Sequence, residues 1–266
     1  MSAALLTMEH AFYIDILFFC RFCCWLRSHV AIMSVALIVP YRHQEGLDRE
    51  AHLAQFTAWA TAHIPATPIV VVEQSDDSRK FNRGMLLNVG FQIAREQHPS
   101  LKSVLFHDVD LIPSEELLPW YDGRAFPMNG QVVHLGQRWS RYTSSSNTYF
   151  GGVVACTPAD VTVVNGYPNL FWGWGGEDDA FRKRCEHHSL QLMAPLLGTY
   201  QDLEEISLKR KLRLLKETNC KCMNKWELLK QHPQTLRSDG LSSVAYTIIE
   251  EKKDLPAQLH HVVVSL

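Results

Sequence analysis

Residues 35–74, VALIVPYRHQEGLDREAHLAQFTAWATAHIPATPIVVVEQ, decide the fold class. VALIVP is a short, continuous apolar run ended by Pro40, which predicts a buried strand. Over Asp48 to His63, the residues Leu53, Phe56 and Ala60 recur at three- and four-residue spacing, the buried face of a helix. PIVVVEQ follows as a second strand rich in β-branched side chains. Strand, helix and strand in short succession make a βαβ unit, so the class is α/β.

Outward from that unit, Asn82 to Glu96 reads as a second helix, and Ser103 to His107 (SVLFH) as a third buried strand running into Asp108, Val109 and Asp110. Open α/β sheets bind ligands in the crevice beyond the carboxyl ends of their strands, which places these acids where a nucleotide is expected. Between Pro119 and Asn147 the chain is polar and glycine-bearing with no clear period, a loop-rich middle. YFGGVVACT reads as a further strand, followed by a turn (NGYPN) and the stretch FWGWGG. A helix starts near Glu177, because acids in a first turn complement the helix dipole and the basic residues follow downstream. Leu208 to Glu217 is a basic helix, and no internal repeat is present.

The 266 residues are 46% hydrophobic and 20% charged, the balance of a packed core rather than of a disordered or coiled-coil chain. Twenty-six Lys and Arg against 28 Asp and Glu give a net charge of -2, so no global field favours nucleic acid, and an anionic ligand must be held locally. The seven cysteines are too scattered for a disulfide framework and lack the paired spacing of a zinc site; they are read as buried or free thiols. Residues 1–30 form a hydrophobic N-terminal segment. Within it Ala11 to Leu26 is short for a membrane span and carries Asp15 and Arg21, leaving open an anchor, a signal or an amphipathic helix. Residues 31–266 are expected to form one catalytic domain.

Asp108 and Asp110 alternate around Val109, so in an extended backbone both carboxylates face one side and can grip one hard divalent cation, which in turn binds a diphosphate. Alone, the pattern is also a common loop start. Gly173, Gly175 and Gly176 interleave with Trp172 and Trp174 directly before Glu177, Asp178 and Asp179. Glycines permit close ligand approach, indoles offer flat apolar surface to a sugar or base, and the acids supply hydroxyl acceptors and a general base. A helix start with core tryptophans explains either half of this string, though poorly both. Arg42 and Arg83 stand at element edges where a guanidinium can fork onto phosphate, and Phe81 could stack on a base.

Together the strings VPYRHQ, FNRGMLLNVGF, FHDVDLIP, YFGGV, NGYPNLFWGWGGEDD and SDGLSSVAY resemble, in order and approximate spacing from Val35 to Val264, the β-1,4-galactosyltransferase family, glycosyltransferase family seven. The resemblance implies a GT-A-type fold, with a Rossmann-like nucleotide half, a mixed sheet and a loop-rich acceptor half. It also implies a UDP-sugar donor, Mn²⁺, a glycan or glycoconjugate acceptor, and inverting transfer of a hexose, galactose foremost, to form a β linkage. By position it implies that Pro40, Arg42, Phe81 and Arg83 hold the uridine diphosphate, that Asp108 and Val109 contact nucleotide and sugar, and that Asp110 binds the metal. Tyr149, Gly152 and Trp174 would shape the sugar pocket, Gly176, Glu177 and Asp179 would meet acceptor hydroxyls, and Asp178 would be the base. Trp226 would floor the acceptor site. A Golgi membrane setting with a lumenal catalytic domain is implied as well.

The sequence departs from the family where a histidine completes the metal site, because GTYQDLEEIS contains none. Glu205 is the positional match and the expected second ligand, with Asp202 and Glu204 as neighbours. The family's long stem is also missing before the first strand. Two rival readings follow, a UDP-N-acetylgalactosamine transferase of the chondroitin type and an inactive glycan- or UDP-binding relative.

Overall fold

The computed structural model describes residues 35–44, 48–143 and 149–266. The hydrophobic N-terminal segment, including Ala11 to Leu26, lies outside the described residues. In chain order the main elements are β1 (Val35–Tyr41), α1 (Arg49–His63), β2 (Ile69–Gln74), α2 (Arg83–Gln97), β3 (Ser103–His107), β4 (Leu111–Pro113), β5 (Gln131–His134) and β6 (Val153–Cys156). There follow α3 (Pro158–Val163), α4 (Glu177–His187), β7 (Gln191–Met193), β8 (Tyr200–Asp202), α5 (Leu208–Glu217), α6 (Lys225–Thr235), β9 (Thr247–Glu251) and β10 (Leu259–Ser265).

Among the described residues, eight strands form one mixed sheet in the order β7-β5-β6-β3-β1-β2-β10-β9, and β4 pairs with β8 in a separate ribbon. The central strands β3, β1, β2 and β10 run parallel, with Leu37 opposite Ile69 on one side and opposite Leu105 on the other. Strand alternation divides β1 between two cores. Ala36 and Ile38 pack with Leu86, Leu87 and Phe91 of α2, while Val35, Leu37 and Val39 pack with Phe56 and Ala60 of α1. Both faces are therefore covered by helices, which is why these strands read as unbroken apolar runs.

Capping sets the helix starts. Asp48 accepts a hydrogen bond from the Ala51 N–H at 3.2 Å, and Asn82 accepts one from the Met85 N–H at 3.0 Å. From β1, α1 leads to β2 on one side, and α2 then carries the chain back to β3 on the other. The connections leaving β1 and β3 thus diverge, and the crevice between them opens beyond Tyr41 and His107. The sequence placed Asp108 there, and the fold agrees.

Several elements were not expected, among them β5 and β10 of the main sheet. The loop-rich middle contributes β5, antiparallel to β6 and parallel to β7, and the chain end supplies β10, parallel to β2. The closing SDGLSSVAY block supports the fold. Asp239 accepts the Asn169 N–H at 2.7 Å, Gly240 accepts from the Asn169 amide at 2.8 Å, and that side chain accepts in turn from Asn88 of α2 at 2.8 Å. Arg184, fully buried in α4, donates to the carbonyls of Asn165, Gly166 and Asp239. A buried amide and guanidinium network of this kind locks distant segments together because each member would be costly unpaired. Among the described residues Cys156, Cys185, Cys220 and Cys222 are free thiols; Cys20, Cys23 and Cys24 lie outside the described residues.

Candidate active site

A cleft of about 1160 Å³ lies beyond the ends of β1 and β3, walled by the Gly-Trp stretch, the first turn of α4 and part of α5. Pro40, Arg42, Phe81, Arg83, Asp108, Val109, Asp110, Tyr149, Trp174, Gly176, Glu177, Asp178 and Asp179 all line it, so one wall gathers strings spread over 140 residues of sequence. Its centre is Arg83. The Nε donates to Asp108 Oδ1 at 2.7 Å, one Nη donates to Asp178 Oδ1 at 2.8 Å, and that same nitrogen lies 3.8 Å from Glu177.

One guanidinium thus faces three carboxylates. Burial raises the proton affinity of Asp178 most; Arg83 opposes it, but Glu177, Asp108 and Asp179 push it up again, leaving the carboxyl well above its ordinary range. Asp108 and Glu177 are raised for the same leading reason. The second nitrogen of the Arg83 fork and Glu177 Oε2 are buried with no hydrogen-bond partner among the described residues. A donor and an acceptor left orphaned beside Asp178 suit a hydroxyl-bearing ligand, since a hydroxyl both accepts and donates.

Two glycines let these groups meet. Gly176 caps α4 at φ 107°, where a side chain is strained and a Cβ would fall 2.5 Å from Phe171. At Gly151 a Cβ would lie 2.4 Å from Asp178 Oδ2, so the unhindered approach of the loop keeps this oxygen in place. Gly152 does not line the cleft; at φ 79° its carbonyl accepts the Asp108 N–H at 3.0 Å and fixes the strand end.

Asp110 belongs to a second cluster. Leu111 pairs with Asp202 across the β4–β8 ribbon, and the Leu203 N–H donates to the Asp110 carbonyl at 2.8 Å, which brings Glu204 toward Asp110. Arg49 spans the two acids, 2.9 Å from Asp110 Oδ2 and 2.5 Å from Glu204 Oε1. Arg141 joins Glu204 at 2.7 Å to Asp202 at 2.5 Å, and Lys211 also binds Glu204. Burial alone would raise the Asp110 carboxyl, but Arg49, Lys211 and Arg141 together hold it below the ordinary carboxylate range.

The expected second ligand is corrected here. Glu205 is exposed, at φ 51° in a left-handed turn, and does not line the cleft; the acid sharing Arg49 with Asp110 is Glu204. The left-handed residue turns the chain after Glu204, a feature that residue spacing does not carry. Among the described residues, no three His, Cys, Asp or Glu side chains are disposed together to hold a metal ion.

Trp226 stands outside the cleft lining. It is 76% exposed, with Lys225 Nζ 4.8 Å from its ring centroid, whereas Lys225 does line the cleft, 3.2 Å from Asp179. Trp174 is partly exposed on the cleft wall, its backbone bonded to Cys220 and Cys222. Arg42 donates to the Arg79 carbonyl at 2.6 Å, and Phe81 holds the Gly173 N–H through its carbonyl at 2.8 Å. Arg49, Trp139, Arg141, Tyr142 and Lys211 also line the cleft and were not singled out from sequence. Tyr142 stacks on Tyr149 with centroids 3.9 Å apart. A basic, aromatic cluster over residues 139–142 was the signal available for three of them.

Residues 24–121 match the family model described as the N-terminal region of glycosyl transferase group 7, and residues 132–206 match that described as the N-terminal domain of galactosyltransferase. β-1,4-Galactosyltransferase 4 of Mus musculus is 31% identical over 226 residues, covering 82% of this chain and 60% of that protein. The Homo sapiens protein of the same name is 33% identical over 227 residues with the same coverage. The chain thus spans about 60% of the length of these curated relatives. Among solved structures, the catalytic domain of Drosophila β-1,4-galactosyltransferase 7 with xylobiose superposes with a TM-score of 0.68 at 28% identity, covering 87% of this chain and 92% of that one. A mutant of the Drosophila enzyme in complex with manganese, UDP-Gal and xylobiose gives a TM-score of 0.66 at 28% identity with the same coverage. With its GT-A-type fold and both halves of the family pattern in order, this chain belongs to the β-1,4-galactosyltransferase family, glycosyltransferase family seven.

Proposed function

We propose that this chain transfers galactose from UDP-galactose to a sugar hydroxyl of a glycan or glycoconjugate, inverting the anomeric centre to form a β linkage. The observation that carries the reading is the orphaned donor and acceptor of Arg83 and Glu177 beside Asp178, in a cleft at the carboxyl ends of β1 and β3. The Drosophila relative's complex with manganese, UDP-Gal and xylobiose supports both the donor and the saccharide acceptor. A Golgi-lumenal setting goes with this reading on family membership; among the described residues no helix is long and apolar enough to cross a membrane.

Asp178 is the base. Arg83 pins its Oδ1, and Oδ2 beside Gly151 takes the acceptor's proton. The acceptor oxygen then bonds to the sugar's anomeric carbon as the bond to the β-phosphate oxygen breaks, and UDP leaves with the electron pair. Glu177 and the free nitrogen of Arg83 orient hydroxyls, Trp174 offers its indole face to a sugar ring, and Arg42 lies at the nucleotide end.

The donor chemistry around Asp110 fits Mn²⁺, since Asp110, Asp202 and Glu204 offer hard carboxylate oxygens. Of these, Asp110 and Glu204, which share Arg49, would hold the ion, which when bound would supply positive charge to the diphosphate leaving group. In the present arrangement all three are paired to Arg49, Arg141 and Lys211, so loading requires these pairs to open.

The test is UDP release by the purified chain across UDP-galactose, UDP-N-acetylgalactosamine and UDP-glucose, with xylosides and N-acetylglucosaminides as acceptors, with and without Mn²⁺. Acceptor-dependent release from UDP-galactose is expected. Preference for UDP-N-acetylgalactosamine would move the assignment to that transferase, and UDP binding without release under any condition would leave a binding protein.

A further inference from the structure

The cluster around Asp110 carries an inference about metal affinity that rests on the UDP-sugar reading. Three acids, Asp110, Glu204 and Asp202, alternate with two arginines, and the Glu204 carboxylate, fully enclosed, also receives Lys211. Three cations balance three anions, so the set presents no excess negative charge to an arriving ion. The groups come from the turn between β3 and β4, the first turn of α1, the short helix at Ser140–Thr143, the end of β8 and the turn after it, and α5. Their convergence is a property of the fold.

We propose that Arg49 is a resident counter-ion that competes with a divalent cation for Asp110 and thereby sets the chain's metal affinity. An ion reaching Asp110 and Glu204 together must displace the one guanidinium that spans both. The displaced charge then needs an anion. Arg49 and Lys211 both line the cleft, so a diphosphate placed there can accept what the carboxylates release. Metal and diphosphate are thus coupled: each removes the penalty that opposes the other, and the coupling acts equally on both affinities. Arg49 thus acts in this scheme by exchanging partners, from the Asp110 and Glu204 carboxylates to the diphosphate.

The experiment titrates Mn²⁺ into the purified full chain, following free Mn²⁺ by electron paramagnetic resonance, with and without UDP. The parent is expected to bind Mn²⁺ weakly alone and about tenfold more tightly with UDP. Arg49→Gln should bind Mn²⁺ alone about tenfold more tightly than the parent, since a competing charge in a partly buried site is gone, while Arg49→Lys stays near the parent. Arg49→Gln binding with unchanged or weaker affinity, while its melting curve shows it folded, overturns the proposal. Should Arg49→Gln not fold, Lys211→Met, which removes one cation from Glu204, is expected to tighten binding about threefold, and no gain there overturns it equally. UDP binding separates this result from the broader reading: a chain that binds no UDP at any Mn²⁺ concentration refutes the UDP-sugar assignment, whereas the Arg49 result stands on Mn²⁺ alone.

Discussion

Two charged clusters share one cleft and are built on opposite balances. Around Arg83 a single cation faces Asp108, Glu177 and Asp178; around Glu204 three cations face three acids. The consequences diverge. Burial and excess negative charge raise the proton affinity of Asp178, as the proposed base role requires, while balance keeps Asp110 ionised and structurally engaged. Chemistry is expected to fail when the first cluster is altered, and stability or cation binding when the second is.

The largest effect tests the balanced side. Trp139 is buried, donates its indole N–H to Asp202 at 3.1 Å and carries the Arg141 guanidinium 4.6 Å from its ring centroid. Trp139→Ala should therefore cost about 3 to 5 kcal/mol of stability, measured by denaturant unfolding. A loss below about 1 kcal/mol would mean the cluster does not brace the fold.

Asp178→Asn tests the unbalanced side. It keeps the shape and the hydrogen bond from Arg83 but removes the proton acceptor, so turnover should fall about a hundredfold or more, roughly 2.7 kcal/mol of barrier, with melting unchanged. Near-normal turnover would end the assignment of the base. A smaller change is expected at Trp174, which is 38% exposed where Trp139 is 3%. Trp174→Ala should leave stability within about 0.5 kcal/mol while raising the acceptor KM severalfold. A sharply lower melting point with unchanged kinetics would make Trp174 a core residue instead.

The two clusters also differ in how far sequence reveals them. Asp108, Glu177 and Asp178 sit in strings whose order and composition point to a site, and β1, β2 and β3 declare themselves through apolar runs that both faces of the sheet demand. Arg49 meets Asp110 across 61 residues and Glu204 across 155, and no local period encodes such pairings. The choice between Glu204 and Glu205 turned on one left-handed residue, and β5 is four residues inside a polar stretch, too short to show alternation. Asn88 and Asn169 lay within recognised strings, yet their joining role emerges only when α2, the NGYPN turn and the SDGL block are brought together.

The smallest effect discriminates most finely between the clusters, because it reads proton affinity itself. On the proposed mechanism Asp178 works as an ionised carboxylate, so the rate is expected to fall as pH drops through its pKa. Burial and the neighbouring acids place that pKa well above the ordinary carboxylate range despite Arg83, so the acid limb of kcat/KM should lie above the pH at which an ordinary aspartate titrates. Arg83 is the one group among the principal influences on Asp178 that lowers its pKa. Replacing it by glutamine removes this opposition, and the limb should move to still higher pH, in addition to any loss of rate at the plateau. The Asp110 carboxyl, held low by three cations, has no part in that limb. A pH–rate profile of the parent and Arg83→Gln, each at saturating Mn²⁺, makes the comparison. A limb that stays put or moves to lower pH in Arg83→Gln would show that the titrating group is not governed by Arg83, and the base would have to be sought outside the unbalanced cluster.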